Sequence, residues 1–208
     1  MSTVVLVRPG CTDFDEQKRI QGCLELPLND RGQEQLVKVI DAIRDQPVEA
    51  VVTGPCDPCR STAEAVAHAL DVPIKEKREL CNLDQGLWQG LCVDEILKKF
   101  PRVFRQWKES PETVCPPEGE TVSVAIERMI FALKKPLRKY GCFVVVASEP
   151  LASLVSCTLR GETPEDIGDS MFGCCNDQLV EVIQTSGTAN ERTGSSERIP
   201  IAAAVSDE

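Results

Sequence analysis

The residues able to do chemistry in this sequence are few, and most of them stand where an apolar run ends. Arg8, Pro9, Gly10 and Cys11 follow Val4-Val5-Leu6-Val7, and Ser148-Glu149 follow Val144-Val145-Val146-Ala147. A guanidinium is a rigid fork of donors that takes a carboxylate as readily as a phosphate. It also lowers the pKa of a thiol beside it, which makes Cys11 a candidate nucleophile if its sulfur faces the same space as Arg8. The loop of cysteine phosphatases carries an arginine at a fixed offset after its cysteine. Here that position is Gln17, so Cys11 is expected to be an incidental thiol. Cys56-Asp57-Pro58-Cys59 has the spacing of a redox or zinc motif. No second pair completes a tetrahedral set, and Pro55 and Pro58 favour a turn over the start of a redox helix, so these thiols too are expected to be incidental. His68 is the only histidine. A general base needs an orienting partner, which the pattern around His68 lacks, so a surface or helix-packing role is expected.

The elements that must position these side chains follow from periodicity. Residues 4–7 form a continuous apolar, β-branched run, the mark of a strand buried on both faces. Asn29 or Asp30 is a plausible N-cap, after which Leu36, Val39, Ile40 and Ile43 recur at helical spacing; residues 48–53 then read as a second buried strand. Further helices are predicted over 60–70, 121–133 and 151–159, and strands over 143–147 and 179–183. Alternation of this kind predicts an α/β protein, a three-layer α/β/α sandwich with a mostly parallel sheet. An open sheet of that type places its ligand at the turns after its strands, where Arg8 and Glu149 stand. Between 84 and 120 the periodicity weakens, with short helices expected at 94–100 and 103–107 around Pro101, and this segment is read as a cap insertion. Trp88 and Trp107 are expected to anchor that cap, and the charged run 75–78 to be a solvated edge. Residues 1–184 are read as one domain and 185–208 as a polar, flexible tail.

Bulk properties narrow the function classes. A chain of this length suits one medium domain with a sizeable core. Its formal charge of −10, with no block of Lys and Arg, argues against nucleic acid or an anionic membrane as the main partner. No apolar run is long enough to span a bilayer, and no leader segment is evident. Eleven cysteines, an odd number without repeating spacing, point to reduced thiols in a cytoplasm. Neither a cofactor nor a metal is called for. A small anionic or phosphorylated ligand, or a protein partner, is the expectation.

Several motifs carry a resemblance. Leu6-Val7-Arg8-Pro9-Gly10-Cys11-Thr12 resembles the signature of the histidine phosphatase superfamily (phosphoglycerate mutase-like), in which a strand ends in Arg-His-Gly and a threonine follows shortly after. Gln21-Gly22, the stretch from Pro27-Leu28 through Arg31-Gly32 to Gln35, and Thr53-Gly54-Pro55 with Arg60 match further elements in order. So do Gly86-Leu87-Trp88-Gln89-Gly90-Leu91, Pro117-Glu118-Gly119-Glu120-Thr121 and the strand end at Ser148-Glu149. One short match arises easily by chance, whereas an ordered series over residues 4–149 is specific. The resemblance implies a phosphate pocket built from Arg8, Arg60, Gly10, Cys11 and the position of Glu149.

In the family a first histidine attacks phosphorus, two arginines and a second histidine hold the phosphate oxygens, and an acidic residue protonates the leaving group. Pro9 occupies the first histidine position and has no lone pair to attack with. Glu149 occupies the second, replacing a donor with an acceptor. A carboxylate about 4 Å from a phosphoryl oxygen costs about 4 kcal/mol per unit-charge pair at an effective dielectric near 20. Asn82 falls where the acid usually stands, and an amide cannot deliver a proton as a carboxylic acid does; Asp84 is nearby. Glu120 matches a residue of the pocket rim, though at a helix start it also suits the dipole. With a single histidine in the chain, a mechanism using two is excluded. The expectation is a catalytically inactive binding or regulatory module in which Glu149 folds onto Arg8 and Arg60 and imitates the missing phosphate. The alternative is a phosphomonoesterase or phosphoglycerate mutase that uses altered groups.

Overall fold

Strand β1 (Ser2–Val7) lies near the centre of a five-stranded sheet of order β3-β2-β4-β1-β5. The computed structural model of the chain describes residues 2–110, 113–162 and 178–185, without the side chains of Phe104, Trp107 and Lys108. The other strands are β2 (Val51–Thr53), β3 (Ile74–Glu76), β4 (Cys142–Val146) and β5 (Val180–Thr185). Parallel pairs join β1 to β4, β4 to β2 and β2 to β3, while β5 runs antiparallel beside β1. The helices are α1 (Asp13–Glu16), α2 (Asp30–Ile43), α3 (Cys59–Leu70), α4 (Val93–Lys99), α5 (Pro101–Glu109), α6 (Val122–Lys139) and α7 (Leu151–Arg160).

Alternation along the strands divides the core in two. Val5, Val7, Val51, Val144 and Val146 point to one face, against Leu36, Val39 and Ile43 of α2 and Ala63 and Val66 of α3. Val4, Leu6, Val52, Phe143 and Val145 point to the other, against Met129 and Leu133 of α6, Leu151 and Val155 of α7, and Trp88 and Ile96 of the cap. Both faces of β1 and β4 are therefore buried, which is why those strands are continuous apolar runs. The result is a three-layer α/β/α sandwich with a mostly parallel sheet, as the alternation predicted.

Local signals set most boundaries. The Asn29 side chain accepts from the Gly32 N–H at 2.9 Å and caps α2, and the Thr121 hydroxyl caps α6. Asp71 and Gly161, both in the left-handed region, end α3 and α7. Pro101 divides the cap helices by standing as the first residue of α5, where a missing N–H is no loss.

Three expectations change. Ile74–Glu76, which overlaps the start of the charged run 75–78, is an edge strand; its side chains are exposed, as a solvated edge requires, so apolar periodicity gave no sign of the strand. Helix α6 runs on to Lys139, past Pro136. Thr185 belongs to β5, and the rest of the expected tail, 186–208, lies outside the described residues.

Candidate functional site

Because β1, β2 and β4 are parallel and in register, Val7, Val146 and Thr53 end side by side. Arg8, Gly54 and Ser148-Glu149 leave the sheet along one edge, the edge at which an open α/β sheet presents its ligand-binding turns.

Backbone approach shapes the first turn. A side chain at Gly10 would come within 2.3 Å of the Gly32 carbonyl oxygen, and one at Gly32 within 2.2 Å of the Cys11 carbonyl oxygen. Only this pair of glycines lets the turn rest on the first turn of α2. The Cys11 N–H donates to Gln35 Oε1 at 2.8 Å and the Asn29 N–H to the Cys11 carbonyl at 3.0 Å, so the turn's shape is fixed from α2. Thr12 then caps α1 in a capping box with Asp15. Cys11 is buried, at 4% exposure.

Arg8 is enclosed by acids. Its Nε donates to Glu149 Oε1 at 2.6 Å and its Nη1 to Glu181 Oε2 at 3.2 Å, with side-chain exposures of 9%, 10% and 12%. Glu149 Oε2 also accepts from the Ser153 N–H at 3.2 Å, in the first turn of α7. Glu181 Oε1 accepts from Ser156 Oγ at 2.6 Å and from Arg160 Nη2 at 2.7 Å. Burial pushes the Glu181 carboxyl up, but the bonds from Ser156 and Arg160 and the charge of Arg8 outweigh it, holding the group below the usual carboxylate range. Two arginines and two glutamates thus form one closed network with no formal charge left over. Sequence reasoning missed Glu181, Ser156 and Arg160. The available signal was a carboxylate inside the apolar run of β5, since a charge placed in such a strand must find partners.

Arg60 does not join that network. It sits in the first turn of α3, its side chain is 40% exposed, and its Nη2 pairs with Asp57 Oδ2 at 2.8 Å. Asp57 also accepts from the Ser61 N–H at 3.1 Å; burial raises its pKa, and the bonds to Ser61 and Arg60 bring it below the usual range. The expectation that Glu149 would engage both arginines is corrected: an acid three residues away takes Arg60 first.

Asn82 is a brace. Its Nδ2 donates to the Glu149 carbonyl at 2.8 Å and to the Gly22 carbonyl at 3.1 Å, and its Oδ1 accepts from the Leu151 N–H at 3.3 Å. The amide therefore ties the loop that bears Glu149 to the segment after α1. Glu120 and Asp84 are also structural, with Glu120 pairing with Arg128 and accepting from the Asp84 N–H at 3.0 Å. Beside Asn82 lies a cavity of about 10 Å³ lined by Gly22, Gly54, Cys59, Asn82 and Ser148 among others, about the room that one water needs. Cys23 and Cys59 also border it, and burial pushes both thiols up to about 12, which leaves little reactive thiolate. Among the described residues no cluster of His, Cys, Asp or Glu is arranged to hold a metal ion. Trp88 is buried at 4% in the core beneath the cap, and His68 is exposed on the last turn of α3 in an open surface depression with Glu64 and Asp71. The Trp107 side chain is outside the described set. No described helix is long and apolar enough to cross a membrane.

A model of the histidine phosphatase superfamily (branch 1) matches residues 4–190. The chain belongs to that superfamily. It is 33% identical over 177 residues to an uncharacterized phosphatase, PhoE, of Bacillus subtilis, covering 84% of this chain and 86% of that one. It is 25% identical over 178 residues to phosphoserine phosphatase 1 of Hydrogenobacter thermophilus, covering 85% and 83%. Among solved structures, Bacillus stearothermophilus YhfR superposes with a TM-score of 0.77 at 22% identity, over 90% of this chain and 93% of that one. A mycobacterial glucosyl-3-phosphoglycerate phosphatase complexed with VO3 superposes with a TM-score of 0.74 at 21% identity, over 81% and 87%. At such identities the structural likeness establishes the fold, a superfamily fold shared by phosphatases and mutases.

Proposed function

We propose that this superfamily member does not run the phosphohistidine reaction and acts instead as a binding or regulatory module on a phosphatase fold. The observation that carries this reading is the carboxylate of Glu149, 2.6 Å from Arg8, where an incoming phosphate would need the guanidinium for itself. Glu149 takes the phosphate's part from within the chain, and Glu181 accepts from the remaining side of Arg8. A phosphoryl oxygen about 4 Å from Glu149 would meet about 4 kcal/mol of repulsion per unit-charge pair. The adjoining cavity has the volume for one water and none for a phosphoryl group. Pro9 adds that no nitrogen lone pair stands at the head of the turn, and Asn82 that the acid position holds a brace.

A second reading, a phosphomonoesterase or mutase with altered groups, draws on the names of the relatives. The described candidates give it little support: Cys11 is 4% exposed with its N–H held by Gln35, and His68 stands on a helix surface. A generic phosphomonoester assay and an acid-quench phosphoenzyme trap separate the two. The module reading expects both to be blank for the wild type. Turnover that co-purifies with the protein and disappears in Arg60→Ala, a change at a half-exposed residue, would establish the second.

A further inference from the structure

Charge is unevenly distributed along this chain. Of its 23 basic and 33 acidic residues, segment 98–108 holds five basic and no acidic ones, which leaves the remainder with 18 against 33, a formal −15. Two helices fold that segment into a corner: α4 ends at Lys99, Phe100 makes the junction, and α5 starts at Pro101. Each helix has an inward anchor, Ile96 fully buried in α4 and Val103 packed half-buried in α5. Lys98, Lys99, Arg102 and Arg105 are exposed around them. Leu97 and Phe100 are also exposed, at 43% and 45%. None of the four cations is held in an ion pair or side-chain hydrogen bond among the described residues. This is the reverse of the Arg8 site, where each charge is matched within the chain. The nearest acids on the same helices stand at their far ends, Asp94 and Glu95 opening α4 and Glu109 closing α5, and Glu95 is occupied by capping the Cys92 N–H at 3.1 Å.

We propose that the α4–α5 corner is a docking surface for an acidic segment of a partner protein. The partner's carboxylates meet Lys98, Lys99, Arg102 and Arg105, and an apolar side chain of the segment packs on Leu97 and Phe100. Apolar anchors ringed by charge have the anatomy of a protein interface. Charge complementarity favours a short segment over an extended polyanion: screening confines the interaction to a Debye length of about 8 Å, so a segment seated on the corner feels chiefly the four cations, whereas a membrane or duplex also comes within that distance of acids in the remainder of the chain, at −15. The proposal rests on the reading of this chain as a binding module and names the chemistry of its partner.

The test titrates the full chain into a fluorescent dodecapeptide of Glu and Asp with two leucines one helical turn apart, read by anisotropy. A peptide with Lys in place of the acids, phosphatidylcholine–phosphatidylserine vesicles and a short DNA duplex serve as comparisons. The acidic peptide is expected to bind at low salt and to weaken toward ~0.15 M salt. Lys98→Glu with Arg102→Glu should weaken it by about tenfold or more, and Phe100→Ser by about threefold to tenfold. All three residues are exposed, so these variants keep the fold. Absence of binding by the acidic peptide, equal binding of the Lys peptide, indifference to charge reversal, or vesicle or duplex binding in place of the peptide would each overturn the proposal. The phosphomonoester assay is a separate readout: turnover would remove the module reading without altering the peptide titration, and a failed titration would leave a blank assay standing.

Discussion

Arg8 and Arg60 come from two motifs that resemble the phosphate-holding arginines of one family, yet their surroundings have little in common. Arg8 is 8% exposed and meets Glu149 from the end of β4 and Glu181 from β5, both more than a hundred residues away in sequence. Arg60 keeps a 40% exposed side chain and meets Asp57 in its own helix entry. The first pair is made by the sheet and the second by the local chain. Burial decides what each is worth. Two charges removed from water are tolerated only while both are present, so the Arg8 network holds by mutual dependence, whereas a half-exposed pair is largely compensated by solvent. Arg8 is matched by tertiary contacts and Arg60 by a local one.

The largest test of this contrast is to break each pair. Arg8→Ala or Glu149→Ala should lower unfolding free energy by about 3–5 kcal/mol in urea titrations, because each strands a buried charge. Arg60→Ala should leave the urea midpoint near that of the wild type. Equal losses at the two arginines would dissolve the distinction. A smaller effect is expected at Gln35, which satisfies the Cys11 N–H at the turn that carries Arg8. Gln35→Leu should cost about 1–3 kcal/mol by leaving that buried donor unpaired, and a neutral result would mean that the turn does not depend on α2. The smallest is a pH effect. The Glu181 carboxyl is held below its usual value in the folded chain, so its contribution is present above the unfolded value near 4.3 and is lost as pH falls through that value toward the folded one. Ser156→Ala removes one of the bonds that hold it down and should move the acid unfolding limb upward by about half a pH unit, while Ser61→Ala, beside Asp57, leaves the Ser61 N–H bond in place and should move it less. A larger movement in Ser61→Ala would reverse the ranking of the two sites.

Much of the fold was legible because burial on both faces leaves a continuous apolar run, as in β1 and β4, and because Asn29 and Thr121 announce helices through their caps. The edge strand β3 was not legible: its residues Ile74, Lys75 and Glu76 face solvent, so neither the two-residue nor the helical period appears. In the site, Gly10, Gly32 and Gln35 could be recognised as motif letters, but their reason, a turn resting on the start of α2, is visible only in three dimensions.

By itself the sequence determined which groups the chain has to offer. Pro9 has no side-chain donor or lone pair, Glu149 is a carboxylate, and there is one histidine; these are properties of covalent structure and hold in any fold. Tertiary structure alone decided where the remaining charges went. Arg8 is matched by Glu149 and Glu181 because parallel strands end in register and an antiparallel edge strand brings a further carboxylate alongside. Arg60 turns to Asp57 because an acid three residues away is reached without any long loop closure. The four cations of the α4–α5 corner are exposed while Val93, Ile96 and Val103 of the same helices pack inward.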